Sequence, residues 1–169
     1  MNHTENLTNK DAIDKLKSLV EDILVCLFCT NLKTDDGATS RPMSALKVCD
    51  QGNVWFFSEK NSDKNQAIEA DNKVQLFFSH PGKSRYLIVN GEAEIMFDKA
   101  KIEELWTPVA KIWFEQGKDD PDISVIKVTP NTAYYWDTDG NRMINLLKMA
   151  ASVATGSNLI SGKEGTLEV

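Results

Sequence analysis

The chain has 169 residues, 41% of them hydrophobic and 26% charged, and a formal net charge of −6. That length suits one domain with a core that needs no cross-links, and the acidic balance argues against a general nucleic-acid binder. No apolar run reaches the ~20 residues that would span a bilayer, and the polar start Met1 to Asn6 lacks the apolar stretch of a secretion signal. A cytoplasmic protein without membrane or nucleic-acid partners is the expectation.

Residues 1–8 read as a flexible leader, 9–150 as one domain and 151–169 as a C-terminal tail that looks mobile. Apolar residues at helical spacing (Ile13, Leu16, Leu19, Val20, Ile23) predict a helix over Asp11 to Ile23, capped by Thr8 or Asn9. A strand over Leu24 to Thr30 follows, then a polar turn with Asp35-Asp-Gly37. Ser40 to Val48 is the second strand, and Pro42 near its start suits an edge or first position. A turn at Asp50 to Asn53 leads into Val54 to Ser58, and Ser62 is placed to cap a helix from Asp63 to Ala70.

Lys73 to His80 and the long run Tyr86 to Phe97 are further strands, with Gly91 marking a bulge or bend in the second. Residues 98–106 read as helical, and Val109 to Phe114 as another short helix. Ile123 to Val128 and Ala133 to Trp136 form a last strand or strand pair, broken near Pro130. A helix is predicted from Asn141 through Ala150. Six or so short strands, few helices and a glycine bend give a mainly β chain, a small antiparallel barrel with flanking helices.

Cys26 and Cys29 have redox-motif spacing but lie in an apolar strand, where residues three apart face opposite ways. They read as small buried hydrophobes, and too few histidines accompany them for a zinc site. No Ser-His-Asp order, phosphate-binding glycine loop or paired carboxylates stand out, so no catalytic residue is assigned.

The informative segment is Thr39 to Ser79. Arg41 at a strand start, Ser58 at the end of the next strand, and Ser62 and Lys64 at a helix N-terminus could converge on one anion. Each alone has a plainer reading as a cap or a solvated charge. Trp55 is read as core. Trp106 and Trp113 lie in a segment aromatic enough to line a subunit interface or cover a ligand ring.

The runs Arg41-Pro-Met-Ser-Ala-Leu, Trp55-Phe-Phe-Ser-Glu, Ser62-Asp-Lys64 and Val74-Gln-Leu-Phe-Phe resemble the pyridoxamine 5′-phosphate oxidase-like superfamily. Trp113 to Pro121 and Ala133 to Asp137 point to its general stress protein 26 branch. The resemblance implies a six-stranded split β-barrel binding FMN, with FAD the less favoured form, and a homodimer with flavin at the subunit interface. It implies a phosphate site of Arg41, Lys64, Ser58 and Ser62, with Pro42, Met43 and Phe57 beside the flavin ring and Trp113 near it. A flavin-dependent oxidoreductase of unknown substrate with a nicotinamide electron donor follows. A non-catalytic flavin carrier or sensor, or a flavin-free dimeric interaction module, are the alternatives. Asp63 stands where many of the oxidases carry a basic residue, and Tyr86 where a glutamine is common. Both departures weigh against vitamin B6 oxidation.

Overall fold

The computed structural model describes residues 2–35, 37–138 and 162–169, so the helix expected over 141–150 lies outside the described residues. In chain order the elements are β1 (Asn2–Thr4), β2 (Leu7–Thr8), α1 (Asn9–Ile23), β3 (Val25–Thr30), β4 (Thr39–Ser44), β5 (Lys47–Val48) and β6 (Val54–Glu59). Then come α2 (Asp63–Ala70), β7 (Lys73–His80), β8 (Arg85–Met96), α3 (Lys99–Leu105), β9 (Ile123–Thr138) and β10 (Gly162–Glu168). The protein is mostly β, a split barrel with flanking helices. The six expected strands are β3, β4 with β5, β6, β7, β8 and β9.

The barrel closes through one bent strand. β4 pairs antiparallel with β3, and β5 pairs antiparallel with β6. Between them the Ala45 N–H bonds the Leu24 carbonyl while the Leu46 N–H bonds the Trp55 carbonyl, so the chain changes neighbours between these two residues. β3 continues through β7 and β8 to β9, and β9 returns to β6. The closure is partial: among the described residues β4 has no ladder partner on its side away from β3, and β5 pairs with only Val54 and Trp55 of β6, so the barrel is split between these two strands.

Inward-facing residues fill the interior. Phe28, Phe56, Leu76, Phe78, Leu87, Val89, Ile126 and Tyr135 are all buried, and α1 adds Ala12, Leu16, Leu19 and Val20 from its apolar stripe. Each fully buried large side chain contributes about 1.5–3 kcal/mol, so this cluster dominates stability. Leu24, expected as the first strand residue, instead turns the chain from α1 into β3 with φ +67°. A second cluster outside the barrel packs Trp55, Val125 and Ile123 against Ile102 and Leu105 of α3 and against Phe114.

β9 is one continuous strand rather than a pair broken at Pro130. Asn90 pairs with Thr132 while Gly91 pairs with Pro130, which leaves Asn131 as the extra residue of a bulge. The ladder is already interrupted there, so a proline without an N–H fits. Gly91 is required on the other side, since a Cβ there would stand 2.4 Å from the Thr129 carbonyl oxygen. The segment expected as a helix over Val109 to Phe114 is a short 3-10 turn at Pro108–Ile112.

The described parts of the leader and tail are not loose. β10 pairs antiparallel with β9, and β1 and β2 pair parallel with β10. Lys163 and Glu5 form an ion pair at 3.2 Å, and the Tyr135 hydroxyl donates to the Glu5 carbonyl at 2.9 Å. Gly165 allows the two ends to approach, because a Cβ there would lie 2.1 Å from the Glu5 carbonyl oxygen. No helix among the described residues is long and apolar enough to cross a membrane.

Candidate functional site

β4 runs against β3, β5 continues β4, and β6 runs against β5, so β3 and β6 point the same way. Their inward side chains Phe28 and Phe56 meet edge to face, ring centroids 5.3 Å apart. Two residues further along each strand come Thr30 and Ser58, both buried, and the cross-strand partner of Phe28 is Arg41. The phenyl pair is thus the floor of a mouth whose walls carry Thr30, Arg41 and Ser58. The N-terminus of α2 sits at this mouth, since Ser62 Oγ lies 3.4 Å from Ser58 Oγ.

Arg41 is half-buried, and its Nη1 is fully buried without a hydrogen-bond partner. A buried, unpaired charged donor costs about 1–3 kcal/mol or more. Lys64 is also half-buried, and its ammonium reaches Ser62 Oγ at 3.3 Å. Burial pushes the Lys64 pKa below the ordinary lysine range, the Arg41 charge pushes it the same way, and Glu59 opposes them. Neither cation makes an ion pair with any described residue. Two like charges are therefore held close in a partly desolvated place, an arrangement that an anion would relieve.

The hydroxyls divide into a held one and a free one. Asn65 Nδ2 donates to the Lys60 carbonyl at 3.2 Å and to Ser124 Oγ at 2.9 Å, which fixes its amide orientation. Its Oδ1 then accepts the Ser58 proton at 2.6 Å, and Ser124 Oγ donates to the Ser58 carbonyl at 3.0 Å. Ser58 has therefore spent its donor inside the protein. Ser62 Oγ accepts from the Asn65 N–H at 3.3 Å and from Lys64, as a helix cap does, and keeps its own proton for Ser58 or an incoming oxygen. Asn65 and Ser124 carry no mark in the sequence. An asparagine three residues into a helix is ordinary, and only burial singles it out.

The other expected site residues fall elsewhere. Phe57 lies on the opposite face of β6 from Ser58 and packs on Trp106 and Phe114, with centroids 6.0 and 6.1 Å away. Met43 faces inward against the core, and Pro42 is exposed on the outer face opposite Leu27. Trp113 is 64% exposed beside exposed Val109 and Ile112, so within one chain it covers nothing. Cys26 is buried, which raises its thiol pKa to about 12, and Cys29 lies 3.2 Å from Ser40 Oγ on the outer side of β3. No metal-ligand cluster exists among the described residues.

Residues 11–159 match the family described as pyridoxamine 5′-phosphate oxidase like. Protein bli-3 of Neurospora crassa is 25% identical over 138 residues, covering 74% of this chain and 66% of that protein. Among solved structures, a protein described as general stress protein 26 from Jannaschia superposes with a TM-score of 0.78 at 24% identity, covering 95% of this chain and 99% of the other. A general stress FMN/FAD binding protein from Xanthomonas citri gives a TM-score of 0.66 at 23% identity, covering 78% and 92%. At these identities the two structures speak for the fold.

Removal of the buried amide tests the account of the network. Asn65→Ala removes the acceptor of the Ser58 proton and the amide that donates to Ser124 Oγ and the Lys60 carbonyl, and is expected to lower stability by about 1–3 kcal/mol in urea unfolding. A variant as stable as the parent would show that the amide organises nothing.

Proposed function

The chain belongs to the pyridoxamine 5′-phosphate oxidase-like family, and from that premise we propose that it binds FMN as a homodimer and serves as a flavin-dependent oxidoreductase. The carrying observation is the buried, unpartnered Arg41 Nη1 beside a desolvated Lys64. A terminal phosphate supplies the charge and the acceptors that this pair lacks. Arg41 offers a planar fork of donors, Lys64 a point charge, and Ser62 a free hydroxyl proton. Ser58 acts behind them by fixing the loop through Asn65. The short loop between β6 and α2 favours a mononucleotide over FAD, and the FMN/FAD binding of the Xanthomonas citri protein supports the cofactor class.

Bound flavin supplies hydride and electron transfer, and the protein supplies binding, orientation and field. Pro42 and Met43 follow Arg41 on β4 and are the backbone closest in sequence to the phosphate site; a flavin ring laid along them would leave the barrel mouth toward the outer face.

That outer face supports a second copy of the chain as partner. Val25 and Leu27 on β3 are each 48% exposed, and Leu24 is 53% exposed. Leu27 stands between Pro42 and Phe77, Phe77 pairs with Ile88, and Ile88 pairs with Tyr134. The row ends at the Tyr134–Trp136 contact, with ring centroids 4.6 Å apart. A self-complementary patch across a two-fold axis covers such a strip on both copies at once. Trp113, exposed on its own chain, would then be free to reach flavin across the seam.

Arg41→Ala and Lys64→Ala should each weaken FMN binding about 10–100-fold in a fluorescence titration, the worth of one charge-assisted hydrogen bond. Unchanged affinity in both rejects the site. The Lys64 charge is present below its pKa and lost as pH rises through it. With that pKa lowered by burial, parent affinity should start to fall below the ordinary lysine range, while Lys64→Arg stays flat over the same pH span. Parallel profiles for the two proteins would remove Lys64 from the site.

Leu27→Asp places a charge at the centre of the strip. Sedimentation of this variant should show monomers where the parent shows dimers; a monomeric parent, or a variant that still dimerises, contradicts the interface. FMN-loaded protein that leaves NADH and NADPH unoxidised would make it a carrier rather than an oxidoreductase.

A further inference from the structure

A second buried polar atom in the mouth has no partner: Thr30 Oγ1, on a residue with no exposed surface. The large majority of buried side-chain polar atoms are hydrogen-bonded, and one left without a partner calls for an explanation. Its position is informative. Thr30 pairs with Thr39 and Phe28 with Arg41, so Thr30 and Arg41 share the inner face as diagonal neighbours across β3 and β4. Such neighbours lie within reach of long side chains. Thr30 also stands one step above the Phe28–Phe56 floor, as Ser58 does on β6. The helix α2, which Ser62 caps and which carries Lys64, packs against β3. The two orphaned polar atoms of the described residues therefore fall on one wall of one mouth.

We infer that Thr30 is a ligand-binding residue whose hydroxyl donates to a phosphate oxygen shared with Arg41 Nη1. This rests on the flavin-phosphate reading of the site. Ser58 has spent its proton on Asn65, so Thr30 takes the donor role that the sequence pattern assigns to Ser58. The phosphate then sits deeper than the α2 N-terminus alone would hold it, with Arg41 and Thr30 gripping one oxygen from the inner wall. Ser62 and Lys64 meet the others from the rim.

The test uses Thr30→Val, which keeps shape and strand preference and removes only the hydroxyl, with Thr30→Ser as the variant that keeps it. FMN is the titrant, and Arg41→Ala is run alongside. Thr30→Val is expected to bind FMN about tenfold more weakly, while Thr30→Ser stays close to the parent. Without FMN, Thr30→Val should melt about 2–4 °C higher than the parent, because an unsatisfied buried hydroxyl is gone. A purely structural hydroxyl gives the reverse: a lower melting temperature and unchanged FMN affinity. Unchanged affinity in Thr30→Val while Arg41→Ala is weakened overturns the role of Thr30 and leaves the flavin site standing. Unchanged affinity in both overturns the flavin site and this inference with it.

Discussion

Two positive charges held close together, out of full contact with water and without an acidic partner among the described residues, are the constraint from which the account follows. Arg41 and Lys64 would be costly neighbours in a protein that only needed to fold. Several cations elsewhere in the chain are paired. Arg85 bonds Asp22 and Asp137, Lys15 bonds Asp137, and Lys101 and Lys47 both bond Glu104, whose carboxyl is held down at about 2. The couple at the barrel mouth differs in combining burial, mutual repulsion and an unsatisfied guanidinium nitrogen, and a phosphate is the simplest group that answers it.

The barrel closure is what brings the couple together. Because one strand serves β3 with its first half and β6 with its second, Arg41 enters the interior beside Phe28. The β6 strand then delivers the chain to Ser58, the loop and α2. Sequence neighbours and topological neighbours thus meet at one end of the barrel, over a floor of two phenyl rings. The buried Ser58–Asn65–Ser124 network ties the start of α2 to the end of β6 and the start of β9. Stability and site share these residues, so the loop is positioned before any ligand arrives.

Much of this was legible in the chain. Arg41, Ser62 and Lys64 lie on a strand, a cap and a first helical turn whose boundaries local pattern sets well. The resemblance places Phe57 near the flavin ring, whereas period-two alternation sets it on the opposite face of β6 from Ser58, where it packs on Trp106 and Phe114. Thr30, Asn65 and Ser124 could not be singled out, because their significance lies in burial and missing or fixed partners rather than in residue type or spacing. The strands Asn2–Thr4, Leu7–Thr8 and Gly162–Glu168 read as loose ends because parallel pairing between the two ends of a chain leaves no local signature.

The most direct measurement is a crystal structure of the protein grown with FMN. The account predicts phosphate density at the barrel mouth, within hydrogen-bond distance of the Arg41 guanidinium, the Lys64 ammonium and the Ser62 hydroxyl. Arg41 Nη1 bonded instead to a protein group, with no flavin density at that mouth, would contradict it.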